Sequence, residues 1–99
     1  MRTGADPSKG TRGMDDAARR ALVRKKIDQI ATESGRSAAE LQDDDVIPAS
    51  GCLDSTGIIE LLGWYEDVFE IALASNEISL DNLGTIARMA AFAQLKSKG

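Results

Sequence analysis

Residues 51–62 have the sequence GCLDSTGIIELL, which indicates a loop that ends at the start of a helix. Asp54 and Ser55 are both good N-cap residues. Beyond them, apolar residues recur at the spacing of one helical face, which we expect to lie in the core: Ile58, Leu61, Leu62, Tyr65 and Phe69. The pattern therefore places Ser55 at the N-terminus of the helix around which the fold is organised.

A hydroxyl at this position suits a particular chemistry. The free N–H groups and the positive dipole end of a helix N-terminus favour negative charge. A phosphate ester on the Ser55 hydroxyl would be stabilised there. We therefore interpret Ser55, next to Asp54, as a serine that can carry a phosphorylated group.

The opposite face of the same predicted helix is acidic but not purely polar. It includes an apolar Ile59 and a flat spot at Gly63. Such a mixture favours docking of a basic, partly apolar partner over solubility alone. The residues predicted to contact a partner are Thr56, Ile59, Glu60, Gly63, Glu66 and Asp67.

The rest of the chain adds two long helices and a short one. A helix is predicted from Asp15 to about Glu33, and Gly35 terminates it. Its basic side chains lie on the polar side, and its apolar face is formed by Val23, Ile27, Ile30 and Ala31. A short helical turn falls in residues 78–83, and Thr85 caps a last helix. We predict an all-α fold, a small four-helix bundle of three main helices plus a short third helix.

The connection between the first two long helices is long. The sequence Ser37-Ala-Ala-Glu40 resembles a capping box and predicts a short turn of helix ending near Leu41. Residues 43–45 are three aspartates, but they lack the alternating ligands and turn glycine of an EF-hand calcium loop. We expect a solvated acidic turn there and no metal site.

Residues 1–13 hold almost nothing that could be buried, and we expect them to be a disordered N-terminal extension. A single domain is expected over residues 14–99. Met14 precedes a helix start, so the functional chain is expected to begin there. The preceding residues would then be either an expression remnant or an overlong start.

The composition predicts a cytoplasmic protein, and we expect it to be a monomer. Cys52 is the only cysteine, which indicates a reducing compartment, and we interpret it as a small loop residue rather than a nucleophile or redox partner. No signal-peptide-like run and no segment approaching eighteen apolar residues is present, so neither secretion by that route nor a membrane span is expected.

Charge and missing residue types narrow the function classes. The chain has no histidine, the usual base for activating a serine, so an enzyme that uses Ser55 directly is disfavoured. Nine of the twelve Lys and Arg lie in residues 1–36, and residues 37–87 have none but hold eleven Asp and Glu. That segment should attract a basic partner and repel nucleic acid, or be a merely solvated acidic surface.

These residues resemble a known family. Leu53-Asp54-Ser55, followed by Glu60, Leu61-Leu62, Glu66-Asp67 and Phe69, resembles the phosphopantetheine attachment region of acyl carrier and peptidyl carrier proteins. Residues 78–86, ISLDNLGTI, look like the short third helix and fourth-helix start of stand-alone carriers. The resemblance covers residues 14–98, including the order of the helices and the long first loop.

The resemblance implies that Ser55 receives 4′-phosphopantetheine from coenzyme A through a separate phosphopantetheinyl transferase. The chain would be a carrier that catalyses nothing itself. Its thiol-ended arm would hold acyl or aminoacyl groups as thioesters in fatty-acid-like, polyketide or non-ribosomal-type biosynthesis. The implied partners are an adenylating acyl or aminoacyl ligase and downstream acyl-using enzymes that recognise the second helix.

Two positions depart from the family pattern. Thr56-Gly57 stands where leucine commonly follows the serine, which removes an apolar contact and is expected to loosen the first helical turn. Gly63 replaces a position often filled by a larger apolar residue. Asp-Ser-Thr-Gly is similar to a subset of free-standing bacterial carriers that work with dedicated adenylating ligases.

The residues leave one function of another class open. A helical interaction domain could bind a basic protein through the acidic second helix without any modification. In that case Ser55→Ala would leave function intact, whereas a carrier would lose it.

Overall fold

The computed structural model describes residues 14–98, which are all-α: they contain no strand. The predicted disorder of residues 1–13 lies outside the described residues, as does Gly99. No helix within residues 14–98 is long and apolar enough to cross a membrane. The helices are α1 (Asp16–Glu33), α2 (Ile47–Ser50), α3 (Ser55–Phe69), α4 (Leu80–Leu83) and α5 (Ile86–Lys98), with a 3₁₀ turn at Ser75–Glu77.

The predicted starts and ends of the long helices are confirmed. Asp15 caps α1 by accepting a hydrogen bond from the Ala18 amide at 2.8 Å, and the chain leaves the helix through Gly35 at φ +74°. The Thr85 hydroxyl oxygen accepts a bond from the Arg88 amide at 3.0 Å, which caps α5. Side-chain caps of this kind satisfy amides that have no partner inside the helix.

Helix α1 lies at the centre of the packing, because it contacts both α3 and α5. Short α4 packs on α5. The apolar face predicted for α1 is buried, and it belongs to one core cluster with buried residues from every other helix. The largest fully buried side chains are Val23, Ile27, Ile30, Tyr65, Ile86 and Met89.

The number of helices was predicted wrongly, since the described chain has five rather than four. The unpredicted member is α2, which has a proline in its first turn and ends at Gly51 with φ +80°. Proline is pre-organised for a helix N-terminus, and glycine readily adopts the left-handed conformation that ends one. The Ile47 amide also donates to the Gly84 carbonyl at 2.8 Å, which ties α2 to the end of α4.

The helical turn predicted to end near Leu41 does not form. The Ser37 hydroxyl oxygen accepts a hydrogen bond from the Ala39 amide, two residues on, at 3.2 Å. This local bond closes a serine turn instead of capping a helix, in which the hydroxyl would bond an amide three residues on. A single non-helical turn follows, closed by the Leu41 amide and the Ala38 carbonyl at 3.1 Å.

Two polar features of α1 also differ from expectation. Arg19, predicted on the polar side of the helix, is buried and donates to the Ala90 carbonyl at 3.1 Å and to Gln94 Oε1 at 2.8 Å. The acidic turn is not simply solvated, because Asp43 pairs with Arg20 at 3.1 Å and with Arg24 at 3.7 Å. The basic side chains of α1 therefore hold α5 and the long loop in place.

Tyr65 joins α3 to α5 through a buried hydrogen bond. Its hydroxyl donates to the Met89 carbonyl at 2.7 Å, and its ring meets the edge of Phe69 with centroids 5.2 Å apart. Burial of the phenol raises the pKa of Tyr65 above its ordinary value of 10.0, although Arg19 opposes the shift.

Tyr65→Phe should lower the free energy of unfolding by about 1 kcal/mol, because one buried hydrogen bond is lost while the ring volume is kept. The raised pKa adds a pH dependence: the stabilisation from the phenol is complete below pH 10.0, its ordinary pKa, and declines above it as the unfolded state ionises. The variant should lack this decline. Urea denaturation at neutral and alkaline pH measures both effects.

Ser55→Ala is the matched control, since it removes an exposed hydroxyl from the same helix. It should leave the stability close to that of the unmodified wild type at both pH values. A Tyr65→Phe variant as stable as the wild type at neutral pH would contradict the assignment of this bond.

Candidate functional site

Ser55 is the first residue of α3 and is exposed. Asp54, the residue before it, has extended backbone and is the N-cap. Its carboxylate accepts a hydrogen bond from the Gly57 amide at 2.8 Å, and its carbonyl accepts one from the Ile58 amide at 2.9 Å. The predicted position of Ser55 at a helix N-terminus is confirmed, with Asp54 as the cap.

The end of α3 is electrostatically suited to an anion. The first amides of a helix have no partners within it, and Asp54 satisfies only that of Gly57. The amides of Ser55 and Thr56 therefore remain at the helix end beside the Ser55 hydroxyl. Together with the helix dipole they would stabilise a negatively charged group placed there.

The loop before the serine is anchored in the core. Cys52 and Leu53 are each only 4% exposed, whereas Asp54 and Ser55 are exposed. Arg36 adds a hydrogen bond from its guanidinium to the Gly51 carbonyl at 3.1 Å. Burial of two consecutive side chains therefore fixes the loop and leaves the Ser55 hydroxyl on the surface.

Cys52 occupies the position of a small buried loop residue. Its Sγ lies 3.1 Å from the Ser50 Oγ, which is itself 2.6 Å from the Ile47 carbonyl oxygen. A thiol acts as a nucleophile when it is accessible and its pKa is lowered. The burial of Cys52 disfavours its use on an external substrate.

Gly57 is the point at which α3 approaches α1. A Cβ at this position would lie 3.1 Å from Ile30 Cγ2 and 3.3 Å from the Asp54 carboxylate. The glycine was expected to loosen the first turn of the helix, but it is buried and its amide is held by the cap. The missing side chain thus lets the N-terminus of α3 pack closely on α1.

Five of the six residues predicted to contact a partner form one exposed surface, which we call the α3 face: Thr56, Ile59, Glu60, Gly63 and Asp67. At 3.6 residues per turn, four of them lie within an arc of about 60°, with Ile59 at its side. Ile59 is 70% exposed. Neither Glu60 nor Asp67 forms an ion pair within residues 14–98.

Glu66 is the predicted partner residue that the α3 face does not include. It is half-buried, and its Oε2 accepts a hydrogen bond from the Leu73 amide at 2.8 Å. Its carbonyl accepts another from the Ile71 amide at 3.0 Å, after the chain turns through Glu70 at φ +58°. Glu66 therefore holds the segment that follows α3.

An apolar groove that sequence reasoning missed lies beside the start of α3. Its volume is about 290 Å³, and its apolar walls come from α2, from α3, and from α4 with the residues just before it: Pro48, Ile58, Leu62, Ile78, Leu80 and Leu83. Ile58 and Leu62 were predicted as core but are only half-buried. Their helical spacing is the same for a core and for a groove wall, so periodicity alone could not distinguish the two.

The Asp54 cap gives a direct test of how the site is held. Asp54→Ala should lower the free energy of unfolding by about 1 kcal/mol, because the Gly57 amide loses its acceptor. Asp54→Asn keeps a side-chain oxygen and should retain most of the stability. Urea denaturation followed by circular dichroism compares the two, and equal stability of the Ala and Asn variants would contradict the cap.

Comparisons with known proteins identify no relative of this chain. No protein-family model, no curated protein and no solved structure matches the chain. A function for the site is therefore argued from the exposed Ser55, the Asp54 cap and the α3 face.

Proposed function

We propose that the chain is an acyl or aminoacyl carrier protein, modified with 4′-phosphopantetheine on Ser55. The observation that carries the proposal is the exposed Ser55 hydroxyl at the capped N-terminus of α3, within Leu53-Asp54-Ser55. The carrier would hold acyl groups as thioesters and present them to other enzymes. The four-helix carrier fold proposed from the sequence is compatible with three long helices and a short α4, to which this chain adds α2.

The geometry fits the group that would be attached. A phosphopantetheinyl transferase would move phosphopantetheine from coenzyme A to Ser55 Oγ, forming a phosphodiester as the nucleotide part leaves. The negative charge of that diester would lie at the amides of Ser55 and Thr56 and at the positive end of the helix dipole. When bound, the arm supplies a terminal thiol for thioester formation, while this chain positions and exposes its attachment point.

The proposed partners follow from the charge and shape of the α3 face. Glu60 and Asp67 are exposed there beside Ile59, and basic enzymes could therefore dock next to Ser55. They would include the transferase, an adenylating acyl or aminoacyl ligase, and downstream acyl-using enzymes. We propose a cytoplasmic monomer, without nucleic acid or membrane among its partners.

The apolar groove suggests which kind of acyl group the carrier could hold. Ile58 lies one helical turn after Ser55, and the groove that it lines opens between α3 and the α4 segment. An apolar acyl group near the attachment point could remove surface from water by lying against these walls. The groove therefore favours an acid with an apolar part as cargo.

A second function is supported by the α3 face alone. An unmodified helical domain could dock a basic partner through the same exposed apolar and acidic side chains. It would not need the Ser55 hydroxyl.

Mass spectrometry of the intact protein separates the two functions. The wild type incubated with coenzyme A, magnesium and a broad-specificity phosphopantetheinyl transferase should gain the mass of one phosphopantetheine group. Ser55→Ala should gain none, because the accepting oxygen is absent. Ser75→Ala removes another exposed hydroxyl, outside α3, and should be modified like the wild type.

An unmodified wild type, folded by circular dichroism and tested also with its cognate transferase, would favour the interaction domain. Modification of the Ser55→Ala variant would contradict the assignment of the site.

A further inference from the structure

The glycines of the described chain differ in how far the fold explains them. Gly35 and Gly51 have positive φ, which glycine adopts readily. Gly84 is sterically required, since a Cβ would lie 2.5 Å from the Leu80 carbonyl oxygen, and Gly57 stands at a tight contact, where a Cβ would lie 3.1 Å from Ile30 Cγ2. Only Gly63, among residues 14–98, has neither reason.

Gly63 lies in the middle of α3 with ordinary helical backbone, and a Cβ there would meet no atom within 4 Å. Glycine in a helix interior makes the folded protein less stable than alanine would, because glycine loses more backbone freedom on folding. Within residues 14–98, no close packing or special backbone conformation at Gly63 offsets this loss of stability. The empty space above Gly63 is therefore a feature of the surface rather than of the core.

The side chains around that space indicate the chemistry of a partner group that could occupy it. Ile59 lies one turn earlier on the same side, and at 70% exposure it is the most exposed of the large hydrophobic residues in the described chain. Glu60 and Asp67 are exposed before and after Gly63, and neither is paired within residues 14–98. The missing side chain of Gly63 thus leaves a gap beside Ile59, between two carboxylates that have no ion-pair partner within residues 14–98.

We propose that Gly63 determines which enzymes can act on Ser55, by forming a notch that receives a bulky apolar side chain of the enzyme beside Ile59. Lysine or arginine side chains of the same enzyme would pair with Glu60 and Asp67. The inference rests on the proposed function, and it adds that access to Ser55 is set by the size of residue 63. A side chain at this position fills the notch and keeps the enzyme from closing on α3.

The distance is compatible with one enzyme reaching both residues. Gly63 is eight residues after Ser55, which corresponds to about 12 Å along a helix. A typical protein interface covers about 800 Å² on each partner, a patch wider than this separation. An enzyme whose active site holds Ser55 therefore covers Gly63 as well if it approaches along α3.

The test measures kcat/KM for phosphopantetheine transfer from coenzyme A by the cognate transferase of this chain, on Gly63→Ala and Gly63→Leu, with melting temperatures of the same samples. Both variants should melt at a higher temperature than the wild type, because alanine and leucine favour the helix more than glycine does. Gly63→Leu should lower kcat/KM at least tenfold, chiefly by raising KM. Gly63→Ala should lower it much less. Stability and modification therefore change in opposite directions, which a damaged fold cannot produce.

Ala91→Leu is the matched control, because it adds a leucine to an exposed position of α5. It should be modified at the wild-type rate. If Gly63→Leu is modified as fast as the wild type, or Ala91→Leu is slowed to the same degree, the inference is overturned while the carrier function stands. A wild type that accepts no phosphopantetheine removes the proposed function itself, and the inference with it.

Discussion

The close contact between α1 and the beginning of α3 is the constraint on which the position of Ser55 depends. Gly57 permits it, because a Cβ there would come within 3.1 Å of Ile30, a residue of the buried face of α1. Leu53 is buried on one side of Ser55 and Gly57 on the other, while Asp54 caps the helix between them. The hydroxyl is therefore exposed because its neighbours are held on both sides.

Much of this arrangement could be predicted from local patterns. Asp15 is the N-cap of α1 instead of lying in its first turn. The apolar spacing of α1 and α3, the Thr85 cap and the end of α1 near Gly35 all depend on residues close in sequence, and the structure has them as expected. The Asp54 cap belongs to the same class. Sequence patterns predict such features correctly because each feature depends on residues within about one helical turn.

The features that were missed depend on contacts between segments far apart in the chain. Arg19 is buried because α5 offers it a carbonyl and the amide oxygen of Gln94, which no pattern within α1 could indicate. Glu66, predicted to contact a partner, is half-buried, and the Leu73 amide seven positions later donates to its carboxylate, a bond that no pattern within α3 indicates. The groove likewise needs walls from three segments. The position of a residue in the helical repeat predicts the side of the helix on which its side chain lies, but the contacts of that side chain depend on the tertiary structure.

Attachment of the phosphopantetheine group to Ser55 can be located by fragment mass spectrometry of the transferase-treated wild type. Residues 37–87 contain no lysine or arginine, so trypsin should release residues 37–88 as one peptide. This peptide should gain one phosphopantetheine group, and its fragments should locate the group on Ser55. An unmodified peptide, or a group located on another residue, would contradict this attachment.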